Sequence, residues 1–172
     1  MTTVFLSWIY ENIDKLDMTI ISKHPEAVPY LKENPDKIDW DSFSENPAAI
    51  KIIEDNLNKV NWSSLSRNSS AFYLLQQNKN KIDWNELGHN TAINTHLLYE
   101  GNIDKINNWM PICKNKSTWI VNILDGNIDK ISKDEILELS SNPSAIYIIE
   151  KYIYQMIFTF NGVNVNIILP VF

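Results

Sequence analysis

The chain has 172 residues, 44% of them apolar and 21% charged, which is enough for one folded domain with a continuous core. Its formal net charge is −6 and Arg67 is its single arginine, so it lacks the cationic face with which nucleic-acid binders displace counterions from phosphates. The sole cysteine, Cys113, can form no disulfide within the chain and the N-terminus lacks the basic start of a signal peptide; both favour an intracellular protein over a secreted one.

An asparagine followed three residues later by a lysine recurs six times along the chain. Successive asparagines are 22, 22, 22, 24 and 25 residues apart. The six asparagines are Asn12, Asn34, Asn56, Asn78, Asn102 and Asn127. They define copies one to six as residues 12–33, 34–55, 56–77, 78–101, 102–126 and 127–151. A pattern that stays in phase over six copies predicts a stack of similar units.

The first predicted helix of each copy follows the lysine, as in "KIDWDSFS". Asp39 stands before this helix, where its carboxylate can accept from the free N–H groups of the first turn, so it is a predicted N-cap. Trp40 and Phe43 are three residues apart and fall on one side of a helix that we expect to be about one to two turns long and partly 3₁₀. The predicted caps of the corresponding helices are Asp17, Asn61 and Asp83.

The second predicted helix starts at Asn46-Pro47, where asparagine is a good cap and proline fits the first helical position. Ala49, Ile50 and Ile53 form its apolar stripe. The equivalent caps are His24, Asn68, Asn90, Asn115 and Asn142. The helix is predicted to end at Asn56, and at Gly101-Asn102 and Gly126-Asn127 in the longer copies, in the left-handed cap conformation that Gly and Asn tolerate. Two residues before each helix-two cap stands a small residue; Cys113 occupies this position and is predicted to be a small buried residue, not a reactive thiol.

Copies four and five carry two and three extra residues, so we expect regular curvature to break near residues 90–130. In copy six, "SKDEILELS" predicts a longer helix capped by Ser132. After Tyr152 the pattern stops, and the apolar tail contains Asn161-Gly162 between two β-prone runs, which is typical of a β-hairpin. Three interpretations of the tail remain open: a hairpin or irregular cap, a segment for self-association, or a disordered end.

Catalytic motifs are missing from the sequence: it has no nucleophile elbow, no zinc-protease helix and no glycine-rich phosphate loop. His24, His89 and His96 have no companion cluster of metal-ligating residues. We therefore predict a protein that is not an enzyme and has no metal or other cofactor. The tryptophans Trp40, Trp62, Trp84 and Trp109 have two interpretations, a base-stacking series and core anchors of the first helix; core anchors are favoured. The recurring lysines, mostly beside aspartates, are interpreted as a solvated edge.

In a repeat scaffold, the surface positions that differ between copies are expected to determine which partner is bound. In the second helix such a position holds Pro29, Lys51, Tyr73, Ile120 and Tyr147. The predicted partner-binding residues are Lys51, Tyr73, Tyr99 and Tyr147, with the tyrosines as aromatic anchors.

The segments "ENPDKIDWDSFSENPAAI" (Glu33–Ile50) and "NPAAIKIIEDNLNKVNWSSLS" (Asn46–Ser66) resemble the short asparagine-rich repeats of giant DNA viruses of the mimivirus group, whose pattern is close to N-P-x-A-I-x-L-L-E-x-N-x-D-K-I-D-W-x-x-L-S. The resemblance covers roughly residues 3–154 and fails in the tail. It implies a viral multi-copy repeat protein of the host cytoplasm, viral factory or virion, and it brings no catalytic residues. The layout is also similar to leucine-rich variant repeats, although the letters differ.

The predicted fold is all-α: a short-repeat α-solenoid with two short helices per 22–25 residues over residues 1–155, followed by an apolar tail or cap at 156–172. The predicted function is a non-enzymatic scaffold that binds a viral or host protein. The alternatives are a structural virus component that self-assembles through its tail or open ends, and, less favoured, a repeat protein for single-stranded nucleic acid. No membrane association is predicted, because the tail is short for a span.

Overall fold

A computed structural model describes residues 2–152 of the chain. These residues form helices and turns and contain no β-strand, so the all-α prediction is confirmed. The predicted hairpin or cap at 156–172 lies outside the described residues.

The helices are short, and those of the repeats alternate between two positions. In chain order they are α1 (Thr2–Asn12), α2 (Met18–Lys23), α3 (Val28–Glu33), α4 (Trp40–Glu45), α5 (Ile50–Glu54), α6 (Trp62–Arg67), α7 (Phe72–Gln77), α8 (His96–Tyr99), α9 (Met110–Lys114), α10 (Ile120–Leu124), α11 (Lys133–Leu139) and α12 (residues 146–152). The first helix of copy four is a 3₁₀ helix, Glu86–His89. We call α2, α4, α6, this 3₁₀ helix, α9 and α11 the helix-one layer, and α3, α5, α7, α8, α10 and α12 the helix-two layer.

Single 3₁₀ turns connect these helices. One type leads into the second helix of a copy: Pro25–Ala27, Pro47–Ala49, Ile93–Thr95 and Pro143–Ala145. The other forms at the asparagine-to-lysine motif: Ile13–Lys15, Pro35–Lys37, Lys79–Lys81, Ile103–Lys105 and Ile128–Lys130. The sequence did not predict the second type as a separate element, because a three-residue turn leaves no periodic apolar pattern.

Neighbouring copies contact each other mainly through the helix-one layer. There α2 packs on α4, α4 on α6, α6 on the 3₁₀ helix Glu86–His89, that helix on α9, and α9 on α11. In the helix-two layer neighbouring helices approach less closely, apart from α8 and α10. The helix-two side is therefore the more widely spaced side of the stack.

One hydrophobic core runs between the two layers from copy one to copy six. Each copy contributes a buried apolar residue from its first helix, namely Ile21, Phe43, Leu65, Leu87, Ile112 and Leu139. Each also contributes one from its second helix, namely Leu31, Ile53, Leu75, Tyr99, Leu124 and Ile149. Burying one such side chain stabilises a fold by about 1.5–3 kcal/mol. Because an isolated helix pair would leave this surface in water, each copy depends on its neighbours.

The predicted left-handed cap is confirmed at Gly101 and is wrong at Gly126 and at the copy-opening asparagines. Asn34 has φ −127°, and among the described residues only Gly101 has positive φ, at 71°. The Asn34 amide instead donates to the carbonyl of Tyr30, four residues earlier, at 2.9 Å. Asn12, Asn56, Asn78, Asn102 and Asn127 make the same bond at 2.8–3.1 Å. The side chain itself satisfies a free carbonyl at the helix end, so the backbone needs no strained conformation.

Candidate functional site

The predicted helix caps are confirmed. Asp39 Oδ1 accepts from the Ser42 N–H at 2.9 Å, and Asn61 Oδ1 accepts from the Ser64 N–H at 3.0 Å. Asp17 Oδ1 accepts from the Thr19 N–H, and Asp83 Oδ1 accepts from the N–H groups of Asn85 and Glu86, where the 3₁₀ helix of copy four begins. In copy six, Ser132 and Glu135 form a reciprocal capping box at the start of α11. These side chains accept hydrogen bonds at helix starts, which gives them a structural role.

The caps of the second helices do more than cap. Asn46, Asn68, Asn90, Asn115 and Asn142 are at most 7% exposed, and we call these five residues the asparagine ladder. Asn68 Oδ1 accepts from the Ser70 N–H at 2.9 Å, while its Nδ2 donates to the main-chain carbonyls of Ser44 and Asn46, both at 2.9 Å. The carbonyl of Asn68 in turn accepts from Asn90 Nδ2 at 2.8 Å.

This arrangement continues through the longer copies. Asn115 Nδ2 donates to the carbonyls of Gly88 and Asn90 at 2.7 and 2.9 Å. Asn142 Nδ2 donates to the carbonyls of Cys113 and Asn115 at 2.9 and 2.8 Å. His24 begins the series as a cap only, with Nδ1 accepting from the Glu26 N–H at 3.2 Å. The ladder therefore connects successive copies from the first to the sixth.

The chemistry of the ladder explains the choice of residue. The position needs one acceptor for the helix start and two donors for the carbonyls of the preceding copy, and a short primary amide supplies all three. Aspartate would supply the acceptor but no donor. At the helix-one cap, where Asp39 and Asn61 alternate, an acceptor is enough. The sequence analysis identified the caps but missed the donors, because the carbonyls they reach lie 22 to 29 residues earlier.

A second set of hydrogen bonds between copies is made by the small residue that lies two positions before a ladder asparagine. Ser44 Oγ accepts from the Asn61 N–H of the next copy at 3.1 Å and donates to the Trp40 carbonyl at 2.7 Å. Ser22 and Ser66 accept from Asp39 and Asp83 in the same way. These buried serines thus tie the start of one helix to the helix before it in the stack.

In copies four and five the serine is replaced by Gly88 and Cys113. A Cβ atom on Gly88 would lie 2.8 Å from the Pro111 Cβ, so the close approach of α9 excludes a side chain there. Cys113 is fully buried, as predicted, and burial raises the pKa of its thiol to about 12, with Glu135 and Glu138 adding to the rise. A thiol that stays protonated at neutral pH is a poor nucleophile.

Three of the four tryptophans of the series contact the recurring lysines. The Lys59 Nζ lies 5.0 Å from the Trp40 ring centroid, and Lys81 and Lys105 lie 4.7 and 4.9 Å from Trp62 and Trp84. The indoles also pack against the core, as the favoured interpretation predicts. The lysines are exposed, as expected of an edge, but each covers one indole face, which the sequence did not indicate. A base would have to displace a lysine to stack on that face.

An ion-pair row crosses the helix-one layer. Lys23 Nζ lies 2.9 Å from Glu45 Oε2, Arg67 Nε lies 3.8 Å from the same oxygen, and an Arg67 terminal nitrogen lies 3.3 Å from Glu86 Oε2. The single arginine therefore connects copies two, three and four. It serves the stack and is not a free cation for an anionic ligand.

The predicted partner-binding residues divide into two groups. Lys51, Tyr73 and Tyr147 are exposed on the helix-two layer. Tyr99 is 0% exposed, so its assignment as a surface anchor is wrong. Its hydroxyl donates to the Trp84 carbonyl at 3.1 Å, and its ring stacks on Trp119 at 5.9 Å between centroids. Burial raises the pKa of the Tyr99 hydroxyl.

The error at Tyr99 comes from the position of the extra residues in copy four. They lie between Asn90 and the buried Thr95, in front of α8, whereas Ala49 follows its cap by three residues. The second helices of the copies therefore align from their C-terminal ends, and in this alignment the exposed residue of copy four is Leu97. The same insertion in copy five buries Ile120 and exposes Asn122.

In this corrected register one outward position recurs in every copy. It lies five residues before the residue that opens the next copy, and we call it the helix-two row. The row consists of Pro29, Lys51, Tyr73, Leu97, Asn122 and Tyr147, all exposed. Three of them are large and apolar in character: Tyr73, Leu97 and Tyr147 are 71%, 42% and 48% exposed.

Between residues 2 and 152, no three His, Cys, Asp or Glu side chains are close enough to hold a metal ion. The described helices include none that is long and apolar enough to cross a membrane. His24 is engaged with Glu26 and with the Phe5 ring, 4.6 Å away.

The described chain is an all-α protein whose copies are joined by buried side-chain amides. No family model, curated protein or solved structure matches the chain. The resemblance to giant-virus repeats therefore stays a prediction.

Proposed function

We propose that this chain is a non-enzymatic α-solenoid scaffold that binds a protein partner through the helix-two row. The observation that carries the proposal is the division between positions that stay the same and positions that change. The residues shared by the copies make contacts inside the stack, whereas the six positions of the row carry five different side chains, tyrosine occurring twice. Repeat scaffolds place partner specificity on exposed positions of this kind.

The row also has the chemistry of a binding surface. Tyr73, Leu97 and Tyr147 present large apolar area to water at a register position where nothing in the fold requires it. Large aromatic side chains supply much of the binding energy at protein interfaces, because they bury area with little loss of conformational freedom. The wider spacing of the helix-two layer leaves room for a ligand across neighbouring helices.

Selection from a displayed library of random peptides tests this function. The bait is the full chain, and each selected peptide is then measured against two triple variants. One variant removes the row anchors: Tyr73→Ser, Leu97→Ser and Tyr147→Ser. The control removes three apolar residues elsewhere that are 67–76% exposed, at least as much as most of the row anchors: Val4→Ser, Ile20→Ser and Leu137→Ser. Circular dichroism checks that both variants fold.

We expect selected peptides to lose about tenfold or more in affinity for the row variant, which corresponds to about 1.4 kcal/mol, and to bind the control variant as they bind the unaltered chain. Equal binding to all three proteins, or a loss confined to the control variant, would contradict the proposal.

Self-association is a second candidate, favoured by one observation on α1. Trp8 is 47% exposed, whereas at the equivalent position of later copies Leu74, Leu98 and Ile148 are at most 5% exposed. Trp8 and Val4 thus present a repeat-type packing surface that no described residue covers. Light scattering over a range of concentrations tests this candidate: Trp8→Ser would lower the mass of any oligomer formed this way. A constant monomer mass for the unaltered chain would eliminate it.

A viral origin and a viral or host protein as the partner are part of the proposal and rest on the sequence resemblance. Binding of single-stranded nucleic acid is the least favoured function. The indole faces are covered by Lys59, Lys81 and Lys105, and the net charge of −6 opposes a polyanion.

A further inference from the structure

The helix-two row is not uniform along the stack, and its second half combines apolar anchors with acidic neighbours. Tyr73, Leu97 and Tyr147 all lie in copies three to six, with Asn122 between the last two. In copies one and two the same position holds Pro29 and Lys51. The large apolar area of the row is therefore confined to its second half.

The uncompensated charge next to Leu97 and Tyr147 is negative, whereas the neighbour of Tyr73 is neutral and Lys151, four residues after Tyr147, is paired with Asp125. Residues three apart lie on the same side of a helix, so each row residue has a neighbour one turn further along. These neighbours are Gln76 in copy three, Glu100 in copy four, Asp125 in copy five and Glu150 in copy six. Asp125 forms an ion pair with Lys151. Within residues 2–152 neither Glu100 nor Glu150 has an ion-pair partner, and both are exposed.

We propose that the second half of the row binds an extended, cationic protein segment with regularly spaced apolar side chains. This inference rests on the function proposed above and specifies the partner. The apolar side chains of the ligand would cover Tyr73, Leu97 and Tyr147, and its lysines or arginines would lie beside Glu100 and Glu150. An acidic ligand would meet these carboxylates with like charge and would be rejected.

The spacing of the helices sets the spacing of the ligand. Packed helices lie about 8–10 Å apart, and because the helix-two layer is the more widely spaced side of the stack we take the upper end of this range, about 10 Å. An extended chain advances about 3.3 Å per residue, so three residues span about this distance. A ligand that crosses the helix-two layer therefore presents about every third residue to successive row positions. Since Asn122 separates Leu97 from Tyr147, the pattern is apolar, apolar, polar, apolar at every third residue, with cations between.

Three fluorescein-labelled synthetic peptides test this partner class by fluorescence anisotropy with the full chain. The first peptide has leucine at every third residue except the third of these positions, which is serine, and lysine elsewhere. The second has glutamate in place of every lysine, and the third has serine in place of every leucine. A single-stranded RNA oligonucleotide is the fourth probe. Each is measured at low and high salt.

We expect binding of the first peptide and at least about tenfold weaker binding of each other probe. Screening should weaken the first peptide at high salt, because charges on the surface are largely screened beyond about 10 Å at 0.1 M ionic strength. The double variant Glu100→Gln with Glu150→Gln should bind the first peptide about threefold to tenfold more weakly. The matched control is Asp104→Asn with Asp129→Asn, which makes the same charge change at exposed positions on another edge and should bind normally.

Preference for the glutamate peptide or for RNA, binding that needs no leucine, or equal loss in both double variants would overturn the inference. No binding of the first peptide would overturn it as well. The proposed function fails on a different result: library-selected ligands that ignore the row anchors. If the selected ligands depend on the row but carry no positive charge, the proposed function is supported and the cationic partner class is wrong.

Discussion

Copies one to three and copies four and five are stacked in the same way, but different residues make the contacts between neighbouring copies. In the regular region the spacing is 22 residues, the first helix is an α-helix, and a buried serine accepts an N–H from the next copy. In the longer region the serine is Gly88 or Cys113, and the first helix of copy four is 3₁₀. There Asn85 Oδ1 accepts from the N–H groups of Asn107 and Asn108, and Glu135 Oε1 accepts from the Trp109 N–H.

The asparagine ladder is the part that does not change between these regions. Two extra residues lie in front of each of α8 and α10, and copy five has one more between Lys105 and Trp109. Asn115 still reaches two carbonyls of the preceding copy. The difference teaches that helix type and helix-one contacts are adaptable, whereas the buried amide is required. The following substitutions test this ranking.

The largest effect is expected at the ladder itself, in both regions. Asn68→Asp and Asn115→Asp would each remove two donors and place an acidic group beside carbonyl oxygens in the core. We expect each to lower the free energy of unfolding by about 3–5 kcal/mol, measured by urea denaturation. Asp39→Asn, at a cap that needs only an acceptor, is the control and should change it by less than about 0.5 kcal/mol. A mild effect at Asn115 alone would mean that the longer region no longer depends on the ladder.

A smaller loss of stability is expected at Gly88, which replaces the buried serine in copy four. Gly88→Ala would place a Cβ 2.8 Å from the Pro111 Cβ and 3.0 Å from the Ile112 N. Overpacking of this kind costs about 1–3 kcal/mol, which thermal denaturation should detect as a lower Tm. Gly126→Ala has nothing within 4 Å of the new Cβ and serves as the control. If both glycines tolerate alanine equally, the two helices are not in fixed contact.

Loss of the serine hydrogen bond in the regular region should lower stability slightly less than Gly88→Ala does. Ser44→Ala would leave the Asn61 N–H without its acceptor, and we expect a loss of about 1–2 kcal/mol in urea denaturation. Ser70 is exposed, so Ser70→Ala should change the free energy of unfolding little. A loss at Ser44 no larger than at Ser70 would show that water replaces the serine hydroxyl.

The smallest effect is expected for a lysine that covers a tryptophan. Lys59→Ala removes the cation from the Trp40 ring and should lower the free energy of unfolding by about 0.5–1 kcal/mol. Lys37→Ala is the matched control, because copy one has Met18 in place of tryptophan. The emission maximum of the tryptophans should shift for Lys59→Ala and stay constant for Lys37→Ala. Identical changes in both variants would argue against the lysine–indole contact.

The fold could be predicted because its signal is local and repeated. Caps such as Asp39 and Asn46 and the apolar stripes follow rules that act within one helix, and six copies reinforced each other. Two features were missed because they depend on contacts between copies. The ladder amides donate to residues more than 20 positions away, and the burial of Tyr99 depends on where the extra residues of copy four lie. The clue to the ladder was present in the sequence as asparagine where aspartate never occurs, while the helix-one cap accepts both.

Asn68, Asn90 and Asn115 each donate to the main-chain carbonyl of the preceding ladder asparagine and offer their own carbonyl to the next one. A duplicated block of 22 residues, such as 34–55, would therefore insert with all of its donors and acceptors matched, and a deleted block would leave matching ends. Tandem gene duplication can thus lengthen or shorten this protein in whole units without inventing a new interface, and each added unit brings one more surface position free to diverge.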